Sequence, residues 1–249
     1  MTERPPLLRL NKRITACERC PRLREHCHAA ATNPRASYRG ETYWGRPVPN
    51  LLPPVDPPHR DPADTVMLLL VGLAPAAHGA NRTGRMFTGD RSGDFLFEAM
   101  HAAGLCNQPE GRHADDGLAL LGCAVTAAAH CAPPDNKPTR EELANCASHL
   151  RDTLDALPRL RSVVTLGRIA HEAWLRLYKQ RGWVAALADA PFAHGAEHRF
   201  AAAGPNPTRV APAIFCTYHP SQQNTFTGRL TQAMLRDVLR AARVHALNG

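Results

Sequence analysis

Four short, unbroken apolar runs constrain the fold of this chain more than any other feature: VMLLLVG (66–72), LALLGCAVT (118–126), SVVTLG (162–167) and AIFCTYHP (213–220). Runs this short, apolar throughout rather than at alternate positions, suit strands buried on both faces. Between them the pattern is helical. Residues 92–103 read as a helix. Thr139-Arg-Glu-Glu142 has the spacing of a capping box, and Leu143, Ala147, Leu150 and Leu154 continue an apolar stripe behind it. A further helix is expected from about Arg168 to Gln180, and Leu235, Val238, Leu239 and Ala242 mark a closing amphipathic one. The alternation predicts an α/β protein with a central, mostly parallel four-stranded sheet covered on both faces. Ligands of such sheets bind beyond the C-terminal ends of the strands. Three of the four segments found there, 74–91, 126–137 and 219–227, are rich in polar residues and are expected to converge on one cleft.

Ahead of this pattern, residues 1–50 are polar and basic with weak periodicity, and LLPPVDPPHRDP (51–62) reads as an extended connector. The chain's 249 residues are ample for a buried core. Its longest strongly apolar run, Val66 to Ala74, is too short to span a bilayer, and MTERPPLLRLNKR lacks the pattern of a signal peptide. A soluble, cytoplasmic protein is expected. Lys and Arg number 30 against 22 Asp and Glu, and residues 1–60 hold eleven of the basic and five of the acidic residues. This balance raises nucleic acid as a partner without deciding it. Arg229, Arg236, Arg240 and Arg243 fall on one side of a helix by spacing and read as a solvated face.

Eight cysteines without a secretion signal suggest metal ligands or buried thiols rather than disulfides. Cys17-Glu-Arg-Cys20 is one pair. Cys131 and Cys146, with fourteen residues between them, form a second that is wider than a zinc-ribbon knuckle. Two such pairs suit either zinc or an iron–sulfur cluster, and spacing leaves the metal open. Cys123 and Cys216 sit in strand candidates and read as core residues, Cys106 reads as a loop thiol, and Cys27 competes as a ligand.

The loop GLAPAAHGANRTGRMFTGD (72–90) carries four glycines that permit close backbone approach, and Phe87, an aromatic able to stack on a planar ligand or to anchor the loop. Asp90 stands where a helix N-cap is needed. YHPSQQNTFTGRL (218–230) places His219 after a strand, followed by small polar residues suited to phosphate.

Together with CERCPRL (17–23), RGETYWGRPVP (39–49), HCAPPDNKPTREELANC (130–146) and LGRIA (166–170), these segments resemble the uracil-DNA glycosylase superfamily, and within it the family 5 (type B) enzymes. The resemblance runs in order over nearly the whole chain. It implies a single three-layer α/β/α domain over residues 1–249, with a basic N-terminal segment (1–62) and a core (63–249). It also implies a [4Fe–4S] cluster held by Cys17, Cys20, Cys131 and Cys146, with Cys27 outside the set.

The implied activity is DNA repair by hydrolysis of the N-glycosidic bond of uracil in DNA, with the base flipped out of the helix and an abasic site left behind. The sugar becomes oxocarbenium-like and the departing base anionic. The resemblance assigns His219 to the leaving base, Asp90 to the carboxylate role and Asn136 to positioning water or substrate. It assigns Phe87 to stacking on the base, and the backbone of Gly72, Leu73 and Ala74 to the pocket wall. Arg85, Ser221, Gln222, Gln223 and Asn224 are candidate DNA contacts, and His78 is a weaker pocket candidate. The acidic or amide residue that other families carry near Ala74 or Ala76 is absent, as is the Asn that family 4 enzymes place in the stretch here occupied by Thr126 to Ala129. A broad base range is therefore expected, taking in uracil, with hypoxanthine, xanthine and ethenocytosine as candidates. A monomer acting on DNA in a bacterial cytoplasm, nucleoid-associated when acting, completes the expectation, with downstream abasic-site repair enzymes as candidate partners. Two readings compete with it: a non-catalytic damaged-DNA-binding protein that keeps fold and cluster, and a zinc-stabilised nucleic-acid-binding module. Retention of Asp90, Asn136 and His219 together speaks against the first.

Overall fold

A computed structural model describes residues 7–54, 61–200 and 210–248. Half of the expected proline-rich connector, residues 55–60, lies outside them. The strands are β1 (Leu68–Gly72), β2 (Cys123–Ala127), β3 (Ser162–Leu166), β4 (Glu197–His198) and β5 (Ala213–Thr217), in the order β2-β1-β3-β5-β4. The first three and β5 are parallel. The sheet therefore has five strands rather than four. The additional one, β4, pairs antiparallel with β5 through only two residues, Glu197 opposite Phe215 and His198 opposite Ile214. A two-residue edge strand with an exposed Glu leaves no apolar run to read in the sequence.

Both faces of the sheet are covered, which explains the unbroken apolar runs. Leu68, Leu70, Val125, Val164, Leu166 and Phe215 face one core, shared with α4 (Arg91–Ala102) and α8 (Gln232–Asn248). Leu69, Val71, Val163, Ile214 and Cys216 face the other, shared with α1 (Leu7–Thr15), α5 (Arg140–Ala156) and α6 (Arg168–Gln180). The Thr139–Glu142 capping box is formed: Thr139 Oγ1 accepts from Glu142 N at 3.1 Å and the Glu142 carboxylate from Thr139 N at 2.7 Å.

The basic N-terminal segment holds two helices, α1 and α2 (Pro21–Thr32), and the short α3 (Ala80–Thr83) and α7 (Gln222–Phe226) lie in the loops after β1 and β5. Leu7, Leu10 and Ile14 of α1 recur at i, i+3 and i+7 and are fully buried in the second core. Three apolar residues spread over eight positions are a faint signal among so many charges. In β2 the strand begins at Cys123 rather than Leu118, because Leu121 turns outward and Gly122 adopts a φ of 66°. Cys106 is buried and donates to Gln108 O at 3.1 Å, so it is a core thiol rather than a loop one. The arginines near the C-terminus are also not simply solvated. Arg240 donates to Ala102 O at 3.0 Å at the end of α4, and Arg229 stacks on Tyr218 with its guanidinium carbon 4.5 Å from the ring centre.

Candidate active site and thiol cavity

The loops after β1, β2 and β5 line one open cleft of about 1800 Å³, while the segment after β3 stays out of it. That volume exceeds the range of about 300–1,000 Å³ usual for small-molecule pockets, and an open groove of this size suits a polymer. The β1 loop supplies Leu73, Ala74, His78, Phe87 and Asp90, the β2 loop Asn136, and the β5 loop His219, Ser221, Gln222 and Gln223.

The loop from 72 to 90 is held by its own residues. Arg82 donates Nε to His78 O at 2.9 Å and Nη2 to Gly89 O at 3.1 Å, pairs with Glu41 and lies over Tyr38. Phe87 adopts a φ of 54°, a left-handed conformation that costs a bulky residue energy, so the surroundings must impose it. Two glycines do so. A Cβ on Gly93 would stand 1.7 Å from the Phe87 carbonyl oxygen, and one on Gly72 would stand 2.8 Å from the Phe87 ring. Gly72 thus lies behind the aromatic rather than in the cleft wall. The Phe87 ring faces His219, with ring centres 6.1 Å apart and planes tilted by 32°.

Asp90 is the N-cap of α4, with Oδ1 accepting from Gly93 N at 3.0 Å. Its other oxygen, Oδ2, would meet a Cβ on Gly79 at 2.1 Å, so Gly79 makes room for the carboxylate. Burial raises its pKa, against hydrogen bonds from Gly93 and Ser92 that favour the charge. Cap and cleft residue are therefore one role in space. Burial lowers the His219 pKa to about 4, so the ring is neutral near pH 7. Asn224 does not line the cleft; its Nδ2 donates to His219 O at 2.8 Å and fixes that turn. Asn136 sits exposed on the rim beside Asp135, both in the left-handed region with φ of 56° and 54°.

Arg85 is a correction. It is 7% exposed, and its guanidinium forks onto Asp116 at 2.7 and 2.6 Å while Nε donates to Thr88. Burial works against ionised Asp116, but that fork and three backbone N–H groups hold it low. A charge so engaged braces the loop and does not reach phosphate. The cleft also takes in residues that sequence reasoning did not single out: Arg91 at the end of the 74–91 segment, and His26, Arg35, Arg112 and His113, which come from segments with no motif signal. His78 is placed in the cleft too, its Nδ1 3.0 Å from the Tyr43 hydroxyl.

Elsewhere, Cys17, Cys20, Cys131 and Cys146 line a second, small cavity, together with Arg19, Arg24, His130 and His149. Arg19 Nε donates to Cys17 Sγ at 3.3 Å, and Asn145 Nδ2 to Cys20 Sγ at 3.7 Å. Buried His130 Nε2 has no hydrogen-bond partner among the described residues. Burial pushes the Cys146 thiol up to about 11 and raises Cys20 as well. Cys27 lies beside Cys131 with Sγ accepting from Ala132 N at 3.2 Å. This set of thiols, Cys131 and Cys146 buried and Cys17 and Cys20 half-buried, with donors around it, can hold a metal group.

The chain that forms this parallel sheet, the cleft at its strand ends and the thiol cavity matches a known family model by its sequence. The match, to a family described as the uracil DNA glycosylase superfamily, covers residues 58–243, and the chain belongs to that superfamily. Within it the relatives are of one kind, type-5 uracil-DNA glycosylases. That of Thermus thermophilus is 46% identical over 92% of this chain and 94% of its own length. Those of Mycobacterium leprae and Pyrobaculum aerophilum are each 43% identical over 94% of this chain and 93% and 91% of their own.

Proposed function

We propose that the protein is a DNA-repair hydrolase that excises uracil from DNA, as the names of its relatives indicate for them. The observation that carries the reading is convergence: Phe87, Asp90, Asn136 and His219, from three separate post-strand loops, line one cleft. A base inside a duplex cannot enter that cleft, so the nucleotide is flipped, and Phe87 offsets the lost stacking. Backbone at Leu73 and Ala74 forms the wall beside it. Neutral His219 donates a hydrogen bond to the base oxygen on which negative charge grows, without surrendering its proton. The Asp90 carboxylate stabilises the positive sugar or orients water, and Asn136 positions that water. Water adds to the sugar carbon, and one of its protons leaves with the base. Ser221, Gln222 and Gln223 face the strand's phosphates. With no amide in the stretch from Thr126 to Ala129, little after β2 discriminates among bases, so the range extends to hypoxanthine, xanthine and ethenocytosine. We read the chain as one domain acting as a monomer. Its N-terminal helix shares a core with α5 and α6, which supports the single domain.

For the thiol cavity we propose a [4Fe–4S] cluster on Cys17, Cys20, Cys131 and Cys146. Among the described residues, only His171, His198 and Cys216 bring three metal-capable atoms within 4.8 Å of one another. No three of the four thiols meet that closely, whereas a single tetrahedral zinc would hold them about 3.8 Å apart. The wider spacing and the nitrogen donors to sulfur fit a cluster. Its contribution is structural: it ties the segment before α2 to α5 and the β2 loop.

The test is a gel assay on duplexes containing uracil and, in parallel, the other lesions. Abasic product from the uracil duplex is expected. A mobility shift without abasic product would instead establish a damaged-DNA-binding protein.

A further inference from the structure

We propose that His171, His198 and Cys216 form a second metal site, separate from the four-cysteine cavity, that binds one divalent zinc ion. The three residues come from three elements, α6, β4 and β5, and their ligand atoms lie within 4.8 Å of one another. Each imidazole is already oriented by a backbone carbonyl. His171 Nε2 donates to Ala190 O at 2.7 Å, and His198 Nε2 donates to Pro191 O at 3.0 Å. A carbonyl only accepts, so the proton of each neutral ring is on Nε2 and the lone pair is on Nδ1. For His171, whose Nδ1 is the nitrogen beside Cys216 Sγ, this is the arrangement metal-bound histidines almost always show, the far N–H held by a carbonyl or carboxylate and the near nitrogen on the ion.

The spacing also fits. His171 Nδ1 is 3.4 Å from Cys216 Sγ. Bonds of about 2.0–2.1 Å to nitrogen and 2.3 Å to sulfur at a tetrahedral ion set those two atoms about 3.5 Å apart. The set of two nitrogens and one sulfur is borderline-soft, which suits zinc. The bland alternative is a buried contact in which the Cys216 thiol or the Thr165 hydroxyl, 3.3 Å from His171 Nδ1, donates to the ring. That contact involves two of the three residues; His198 reaches them from β4, where it pairs with Ile214 and is held by Pro191 O. His198 is half-buried while the other two are buried, so the ion has a way in and water can take the fourth position.

On binding, the Cys216 thiol gives its proton to solvent as the zinc–sulfur bond forms, so affinity rises with pH. The gain is mechanical. β4 hangs on the sheet edge by two residue pairs, and the ion would fasten it to β5 and α6. β5 runs directly into His219.

The experiment uses the purified, iron-loaded protein equilibrated with zinc chloride and then freed of unbound metal. Elemental analysis is expected to give about one zinc per chain with iron unchanged. Zinc-edge X-ray absorption is expected to show one sulfur at about 2.3 Å with nitrogen or oxygen at about 2.0 Å. His198→Gln, at a half-buried edge position and with iron content reporting its folding, is expected to weaken zinc binding at least about tenfold in a competition titration, the loss typical when a metal site is disturbed. Absence of retained zinc, an all-sulfur shell, or unchanged affinity in His198→Gln would each overturn the site.

Discussion

Asp90 caps α4 with one carboxylate oxygen while the other lies beside Gly79 at the cleft wall. One substitution separates the two roles. Asn caps a helix as well as Asp does but carries no charge. Asp90→Asn is expected to leave the urea midpoint near wild type and to lower single-turnover uracil excision at least about 100-fold, the scale of a lost acid–base group. Excision within twofold of wild type would remove Asp90 from the chemistry. His219 gives a second prediction through pH. Its folded pKa is about 4 against an ordinary 6.5, so the fold holds the ring neutral. Below pH 6.5 the unfolded chain takes up a proton that the folded protein refuses. Stability from this residue is therefore complete above pH 6.5 and is lost as pH falls toward 4. Urea unfolding across that range should show the loss in wild type, and His219→Gln should show a shallower acid slope.

At the scale of elements, the β1 loop and α5 show how local chemistry places the site. The loop keeps Phe87 in a left-handed conformation because Gly72 and Gly93 lack side chains and Arg82 and Arg85 tie its two halves down. Helix α5 starts at a complete capping box, and Glu142 of that box also forks onto Arg22 of α2 at 2.7 and 2.8 Å. Arg13 likewise pairs with Asp152, and Arg19 donates to Ser148, both on α5. Thus several of the basic residues that make the N-terminal segment look like a DNA-binding arm pin it to α5 instead. Thr139→Ala removes the cap, for a cost of about 1 kcal/mol. In a chain of this size that lowers the melting temperature by about 2–4 °C, measurable by calorimetry. An unchanged melting temperature would show that the Arg22 fork alone holds the end of the helix.

At the scale of the whole molecule, the thiol cavity joins the segment before α2, the β2 loop and α5, so its ligands are expected to matter to more than one element. Cys17→Ser should lower iron from about four atoms per chain and lower the melting temperature together; retained iron would exclude Cys17 as a ligand. The alternating pattern of strands and helices, the capping box at Thr139 and the presence of chemistry in three of the four post-strand segments were all legible in the sequence. They depend on residues near one another in the chain, through periodicity and caps. The motif order was enough to suggest the family, and the relatives agree with it. The rest depends on residues far apart in sequence. A guanidinium such as that of Arg85 looks available for phosphate until Asp116, thirty-one residues away, is found to take it. Strand β4 has no apolar run because it exists only by pairing with β5. The environment that neutralises His219, and the carbonyls that orient His171 and His198, likewise arise only when separate segments pack together. Periodicity and caps along the chain mark the main helices, the four parallel strands and the residue types able to do chemistry; packing decides which side chains are free to do it, because burial and partners are set by neighbours in space.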